Sequence, residues 1–486
     1  MFPGLCPGIA VDREARQPLH SQIYNAYREA ILNGNFLSGQ QVPSSRSLAA
    51  ELGISRIPVL EAYAQLIAEG YFEARAGSGT YVSSSLPQQN GARAENKSSS
   101  GRARARNVAG HIAGLPGRGS QRWLSGSGAF SVGQLGFDHF PFRAWVRILT
   151  RHCRKVHANS MNYGDPMGSR EFRETIAAYV RTARAVRCDA RQIMVVNGSQ
   201  NALDICARVL VDPGSPVWVE DPGYMLLHST LVLAGCRLVP VTVDDEGMNI
   251  AAGMRACRKA KAAWVTPSHQ YPLGVTMSAS RRLELLEWAD AAGGWIVEDD
   301  YDSEYRYDSM PIASLQGLDD KSRVVYIGTF SKTLFPSLRL GYMVLPIDLV
   351  DQFTAVRRAI DVCPPLLYQA VLTDFIREGY YARHLRKMRL LYAERRKALV
   401  QSIEREFGSR VEISGDAAGM HLAILVPDAW NDQQIAQRAA QQKLWIWPLS
   451  PAYLGKKRRQ GFVLGFGSTD IRDIPEAVHR IRCLVA

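Results

Sequence analysis

Near the middle of the C-terminal half the chain reads "VVYIGTFSKTLFPSLRLGY", Val324 to Tyr342. A run of β-formers ends in Thr329, Phe330, Ser331 and Lys332, and Arg339 follows seven places after the lysine. A lysine is a poor residue at the mouth of a buried strand unless it has chemistry to do there. Four other strand-like segments stop in polar groups of complementary kinds. "QIMVVNGSQNAL" ends in Gly198, Ser199 and Gln200, which open a helix and so offer an anion site. "PVWVEDPGY" leads into a loop bearing Tyr224, and "AAWVTPSHQYPLG" into His269, Gln270 and Tyr271. "GWIVEDDYDSEY" leads to Asp299 and Tyr301. In open α/β sheets, ligands bind where the strands stop.

Amine, carboxylate, phenol and anion-binding groups gathered in this way fit one cofactor, pyridoxal 5′-phosphate (PLP). Lys332 forms a Schiff base with an aldehyde, and Asp299 holds a pyridine nitrogen protonated, which makes the ring an electron sink. Tyr301 bonds the ring's phenolic oxygen and Tyr224 stacks on its face. Arg339 and the helix start at Gly198–Gln200 grip a phosphate. Thr329 and Ser331 lie beside the lysine. Asp300 and Asp302 compete with Asp299 for the ring nitrogen. Tyr224 is open to a core-packing role, and His269 is either a cofactor contact or a loop histidine satisfied by its neighbours.

The elements that must position these groups alternate strand and helix from residue 128 to 486, the pattern of an α/β domain, with a smaller α+β subdomain from about 375. Ahead of it, residues 83–127 are rich in Ser, Gly, Arg and Ala and hold almost no large apolar residue. That composition predicts a flexible linker. Its "GRARAR" either touches phosphates or is solvated. Residues 10–82 form a third, periodic segment. Leu19, Ile23, Tyr27 and Ile31 mark an amphipathic helix stopped at Gly34. Ser44 caps a short helix, Gly53 makes a turn, and Ser55 caps a second helix ending near Gly70. "YFEARAGSGTYV" then reads as a hairpin wing. The sum is a winged helix-turn-helix.

Composition bounds the partners. The 486 residues are 46% hydrophobic and 21% charged, an ordinary globular balance, and no apolar run reaches the roughly 18 residues of a membrane helix. The start has no basic stretch followed by an apolar core, so no signal peptide and a cytoplasmic location are expected. The eight cysteines, from Cys6 to Cys483, contain no CxxC and read as reduced thiols; no metal site is expected. The net charge is +12, yet residues 1–82 carry six basic against seven acidic residues. DNA binding there must come from placed arginines and helix N-termini rather than bulk charge.

Several motifs carry family resemblances. Pro43-Ser44-Ser45-Arg46, Leu52-Gly53-Ile54-Ser55-Arg56, Ala62-Tyr63, Glu69-Gly70 and Gly77-Ser78-Gly79-Thr80 closely resemble the GntR family. The resemblance implies that Ser44, Ser45, Arg46, Ser55, Arg56, Arg75 and the wing at Gly77, Gly79 and Thr80 meet double-stranded DNA. Pro58 departs from the usual threonine. Residues ~130–475 resemble the fold-type I aminotransferases: Ser331-Lys332 with Arg339, Asp299-x-Tyr301, and Tyr163-Gly164-Asp165-Pro166-x-Gly168. In that family the tyrosine matching Tyr163 reaches the neighbouring subunit's phosphate, which implies a dimer. Two departures stand out. Tyr271-Pro272-Leu273-Gly274 replaces the usual Asn-Pro-x-Gly, and Val463 stands where an arginine grips the substrate carboxylate. Arg459, Lys456 and Lys457 lie in a nearby expected loop. The domain order, with "EDDYDSEYRYD" and "TPSHQYPLG", resembles the MocR/GabR-like subfamily of GntR regulators. That resemblance implies a head-to-tail, domain-swapped homodimer. It would bind operator DNA and sense PLP, or the external aldimine of PLP with an amine or amino acid. An aminotransferase with a tethered DNA-binding module is the alternative.

Overall fold

The computed structural model describes residues 9–85, 128–156, 161–307 and 312–485, with isolated residues between 86 and 127. The chain divides into two compact units, 1–107 and 108–486. Most of the expected linker, including "GRARAR", lies outside the described residues.

In the first unit, helix α1 (Leu19–Leu32) is followed by α2 (Ser45–Glu51), α3 (Arg56–Ala68) and a hairpin of β1 (Phe72–Arg75) and β2 (Gly79–Val82). Ser44 caps α2 by accepting the Ser47 N–H at 3.1 Å. Pro58 occupies the third position of α3, inside the first turn, where a missing N–H has no intrahelical partner to lose. The hairpin pairs Phe72 with Val82 and Arg75 with Gly79. The core is built from one face of each helix: Ile23, Tyr27, Leu48, Val59, Tyr63 and Leu66, closed by Phe72 and Val82. Tyr63 sits edge-on to both Tyr27 and Phe72, and its hydroxyl donates to the Pro43 carbonyl at 2.8 Å. Tyr63 thus ties the start of the helix-turn-helix to its core. This unit is a winged helix-turn-helix.

The second unit is organised by an eight-stranded mixed sheet. In chain order its strands are β3 (Ile193–Val196), β4 (Pro216–Asp221), β5 (Arg237–Asp244), β6 (Gly247–Met248), β7 (Ala262–Val265), β8 (Trp295–Asp300), β9 (Val324–Thr329) and β10 (Gly341–Val344). Across the sheet they run β3-β10-β9-β8-β7-β4-β5-β6. Strands β9, β8, β7, β4 and β5 are parallel, and β10 is antiparallel to both neighbours. Strands β3, β7, β9 and β10 are buried at every residue, as expected for a sheet covered on both faces. The parallel run matters for function because it brings the C-terminal ends of β4, β7, β8 and β9 to one edge. Helix Ser199–Leu210 buries Ala202, Leu203, Cys206 and Ala207 against Ile327 and Met343 of that sheet. Leu203, Ile327 and Met343, the large apolar side chains among these, each contribute about 1.5–3 kcal/mol, which helps hold the start of this helix at the sheet edge.

The 28-residue helix Tyr380–Phe407 leads to a second, antiparallel sheet. Its strands are β11 (Glu412–Ser414), β12 (His421–Val426), β13 (Trp447–Pro448) and β14 (Gln460–Gly465), in the order β11-β12-β14-β13.

Candidate functional site

The strand ends enclose a cavity of about 150 Å³, where a single water needs only about 10–15 Å³. Its wall includes Ser199, Tyr224, Tyr271, Asp299, Tyr301 and Lys332 of the residues expected from the sequence. Lys332 stands three residues beyond the end of β9. A Cβ built on Gly133 would lie 2.5 Å from Lys332 Nζ, and Gly133 has a φ of +77°. Only glycine suits that backbone and leaves the amine its space. Burial depresses the Lys332 ammonium, while the carboxylates of Asp302 and Asp299 pull it back up. The amine is therefore closer to its nucleophilic, neutral form than a surface lysine.

The pleat separates Asp299 from Asp300, while Asp302, beyond the strand end, shares the cavity wall with Asp299. Asp300 points to the opposite face of β8 and accepts from Arg184 Nε and from the Tyr326 hydroxyl, both at 2.7 Å. Asp302 faces His269 Nδ1 at 3.1 Å and the Met420 N–H at 3.2 Å. Asp299 lines the cavity, and its buried Oδ1 has no hydrogen-bond partner. Burial raises the Asp299 carboxyl to about 7, helped by the charges of Asp300, Glu220 and Asp302 and opposed by Lys332. An unpartnered buried carboxyl oxygen is costly. A protonated ring nitrogen placed there would satisfy it.

Polar groups suited to an anion gather at the head of helix Ser199–Leu210. Gly198 adopts φ +86°, and a Cβ there would come within 3.0 Å of the Arg339 guanidinium carbon. Arg339 Nη2 donates to the Asn197 carbonyl at 2.9 Å, which fixes the guanidinium beside the free N–H groups of the first helical turn. The Ser331 N–H bonds Thr329 Oγ1 at 3.1 Å, and the buried Ser331 Oγ has no partner. Gln200 departs from expectation: its Nε2 donates to Thr230 Oγ1 and to the Leu226 carbonyl at 3.3 Å, so its side chain braces the neighbouring helix. Only its backbone N–H remains at the helix start.

The aromatic wall is a set of edge contacts: Tyr224 with Tyr271 at 5.7 Å and Tyr271 with Tyr301 at 6.5 Å. Burial pushes all three phenols up, so they remain neutral. The Tyr301 hydroxyl donates to the His269 carbonyl at 2.9 Å. His269 is buried behind it, between Asp302 and the Gly415 carbonyl at 3.3 Å, and is not on the cavity wall. Gln270 is also structural, with Nε2 donating to Glu220, to the Pro222 carbonyl and to its own neighbour Tyr271. Donor atoms of His269, Asp302 and His421 lie within 4.8 Å of one another, a spacing a metal could bridge. The Gly415 carbonyl faces His269 Nε2 and the Met420 N–H donates to Asp302 Oδ2, so two of the three are already engaged.

Tyr163 stands apart: it is 83% exposed and belongs to no part of this wall. Several wall residues escaped the sequence reading. Glu220 is the penultimate residue of β4, accepts the Thr266 hydroxyl at 2.7 Å, and is raised by burial to about 7. The rule that found Asp299, an acid closing an apolar strand, applies to it equally. His228, Met420, His421 and Trp447 gave no such signal, because they arrive from a helix and from the second sheet.

On the first unit, the residues expected to meet DNA are exposed on short elements. Arg46, Ser55 and Arg56 are all exposed, and Arg56 Nε donates to Ser45 Oγ at 3.0 Å, linking the starts of α2 and α3. Arg75 is held by Glu73 and lies over the Tyr81 ring at 4.4 Å. Gly77 and Gly79 turn the wing, with Thr80 next to them on β2.

Comparison with known proteins agrees with this architecture. Residues 129–481 match the model for aminotransferase class I and II, and residues 19–82 the model for bacterial regulatory proteins of the gntR family. The probable rhizopine catabolism regulatory protein MocR of Rhizobium meliloti is 40% identical, over 98% of this chain and 95% of that protein. This chain belongs to the MocR-like regulators of the GntR family. The transcriptional regulator TauR of Rhodobacter capsulatus is 33% identical, over 95% of this chain and 96% of its own length. Among solved structures, a kynurenine aminotransferase of Pyrococcus horikoshii in complex with PMP matches with a TM-score of 0.72 and 26% identity, covering 78% of this chain and 96% of that one. The cofactor of the MocR-like domain is pyridoxal phosphate, and the free Asp299 oxygen, the free Ser331 hydroxyl and the Arg339-braced helix start fit it. No described helix is long and apolar enough to cross a membrane.

Proposed function

We propose that this MocR-like regulator is a cytoplasmic homodimer that binds operator DNA through its winged helix-turn-helix and uses the Lys332 cavity to sense PLP, alone or joined to an amine. The observation that carries the reading is the joint occurrence of an exposed DNA-binding head and a cavity in which a depressed lysine amine faces an unpartnered Asp299 oxygen. When bound, the cofactor supplies an aldehyde carbon that primary amines attack and a ring that draws electrons toward its nitrogen. Lys332 Nζ would anchor it. Asp299 would hold the ring-nitrogen proton, Tyr301 would bond the ring oxygen, and Tyr224 and Tyr271 would pack against the ring. Arg339, Ser331, Thr329 and the N–H groups of Ser199 and Gln200 would hold the phosphate. His269 orients Tyr301. Tyr163, exposed on its own chain, reaches the partner's site.

On the head, Ser44, Ser45 and Ser55 contact phosphates, Arg46 and Arg56 reach base edges or phosphates, and Arg75 with Gly77, Gly79 and Thr80 forms the wing contact. Residues 10–82, 83–127 and 128–486 act as reader, tether and sensor. The buried Val463 favours sensing over sustained transamination, because a substrate carboxylate loses its bidentate clamp.

Binding to DNA upstream of the protein's own gene, against scrambled DNA, with and without PLP at two salt concentrations, tests the proposal. Specific binding that changes with PLP is expected. Unspecific binding that only falls with salt, whatever the PLP, overturns it and points to transamination.

A further inference from the structure

The cavity wall is biased against acids. Among the described residues it carries three carboxyl groups, Glu220, Asp299 and Asp302, and one cation, Lys332, which is the cofactor's anchor. The two histidines on the wall add no positive charge. Burial lowers His421 well below the usual histidine range and His228 to about 4.

The register where relatives of this fold clamp a carboxylate is filled by hydrocarbon. Val463 of β14 pairs with Trp447 of β13 and is 1% exposed in a cluster with Leu273, Leu425 and Leu449. Val132 and Trp447 pack on that cluster and also line the cavity. Nearby cations do not compensate. Arg459 is bound to Glu412 at 2.6 Å and 57% exposed, and Lys456 and Lys457 are exposed in the loop before β14. The loop is anchored at the end of β4, where the Leu454 N–H bonds Asp221 Oδ1 at 2.7 Å, and its remaining cation, Arg458, is exposed with Nε donating to the Gly455 carbonyl. A carboxylate entering this cavity would leave water, meet acidic neighbours and find no fork of donors. A hydroxyl or second amino group would instead meet the buried Nε2 of His421, which has no partner.

We infer that the effector selected beside Lys332 is a primary amine without a carboxylate, whose remaining body carries neutral or cationic hydrogen-bonding groups. The inference rests on the sensor reading above and narrows it to a ligand class.

Matched pairs test it: glycine with ethanolamine, alanine with alaninol, phenylalanine with phenylalaninol, and γ-aminobutyrate with its amino alcohol. Each is titrated into the PLP-loaded full-length protein, following the cofactor's visible absorption and, in parallel, heat of binding. The carboxylate-free member of the responding pairs should half-saturate at a concentration at least tenfold lower, about 1.4 kcal/mol. Equal responses, or a preference for the acids, overturn the inference. So does a protein that takes up PLP with a clear absorption band and responds to no amine; that result leaves PLP sensing itself intact. Failure to develop any band with PLP sinks the sensor reading instead. Val463→Arg, where it retains the parent's thermal midpoint, should move the ranking toward the acids, and an unchanged ranking in that folded variant counts against the inference. The wild-type ranking decides the matter by itself where the variant does not fold.

Discussion

The two ligand-binding regions of this chain are built on opposite physical terms. On the head, the groups proposed to meet DNA lie between Ser44 and Thr80, on adjacent short elements, and their charged ends stand in water. In the cavity, the groups come from Val132 to Trp447, and a lysine, three carboxyls and three phenols are withdrawn from water together. A phosphate contact needs a charge kept available at low desolvation cost. A covalent cofactor site needs the reverse, since burial is what frees the amine and leaves Asp299 without a partner. Substitutions in the head should therefore change function and leave stability alone, whereas substitutions in the cavity should exchange one for the other.

Lys332→Ala is the strongest test of that contrast. It should abolish the cofactor's visible absorption and the effector response of DNA binding. Binding of DNA without PLP should stay within about twofold of the parent, because Lys332 belongs to a compact unit separate from the head. A variant that still takes up PLP with the parent's absorption and responds to effector removes the covalent anchor from the account.

Arg56→Ala is the counterpart on the head. Loss of a base-edge or phosphate contact at the start of α3 should weaken operator binding by about 1–3 kcal/mol, roughly 5- to 150-fold. PLP absorption should be unchanged and the thermal midpoint should barely move, since exposed positions are usually within about 0.5 kcal/mol. A large fall in the midpoint would place Arg56, through its bond to Ser45 Oγ, in the fold rather than the interface.

The same contrast explains what was legible in the sequence. The head could be read nearly residue by residue. Its signals are local: a cap at Ser44, a stop at Gly34, a turn at Gly53, and alternation through the wing, while Ser55 takes the N-cap position of α3 without the expected side-chain bond. The cavity was legible along its sheet edge, because parallel strands bring their ends together and Asp299, Tyr301 and Lys332 each close an apolar run. It was not legible where long-range packing delivers the residue. His421 and Trp447 enter from the second sheet, and no spacing rule links them to Lys332. Gln200 and His269 show the other limit. Both stand at the strand ends where they were expected, yet the structure turns the Gln200 side chain toward Thr230 and sets His269 behind Tyr301, held by Asp302 and the Gly415 carbonyl.

Asp299→Asn tests the exchange of stability for function. The folded carboxyl is raised to about 7, so the native state holds a proton that the unfolded chain has released. Stability conferred by the neutral form is thus lost as pH climbs from the unfolded value near 4 through 7. Asparagine does not titrate. Without PLP, the variant should melt a few degrees higher than the parent at pH 8 and level with it near pH 4.5. Its affinity for PLP should fall by about tenfold or more, for want of a carboxylate at the ring nitrogen. A variant less stable than the parent at pH 8 would show that Asp299 is held in the fold by contacts and is not strained there for the cofactor.

The smallest effect should come from the wing. Arg75 is already engaged by Glu73 and by the face of Tyr81, so its guanidinium is oriented before any DNA arrives and part of its charge is neutralised. If it meets a phosphate without reading a base, Arg75→Ala should weaken all DNA sequences alike. It should also flatten the slope of log affinity against log salt by about 0.9, the release of one counterion. Discrimination between operator and scrambled DNA should persist. A loss of discrimination with the slope unchanged would move Arg75 from backbone contact to base readout, and a head with two reading arginines would no longer be as local as its sequence makes it look.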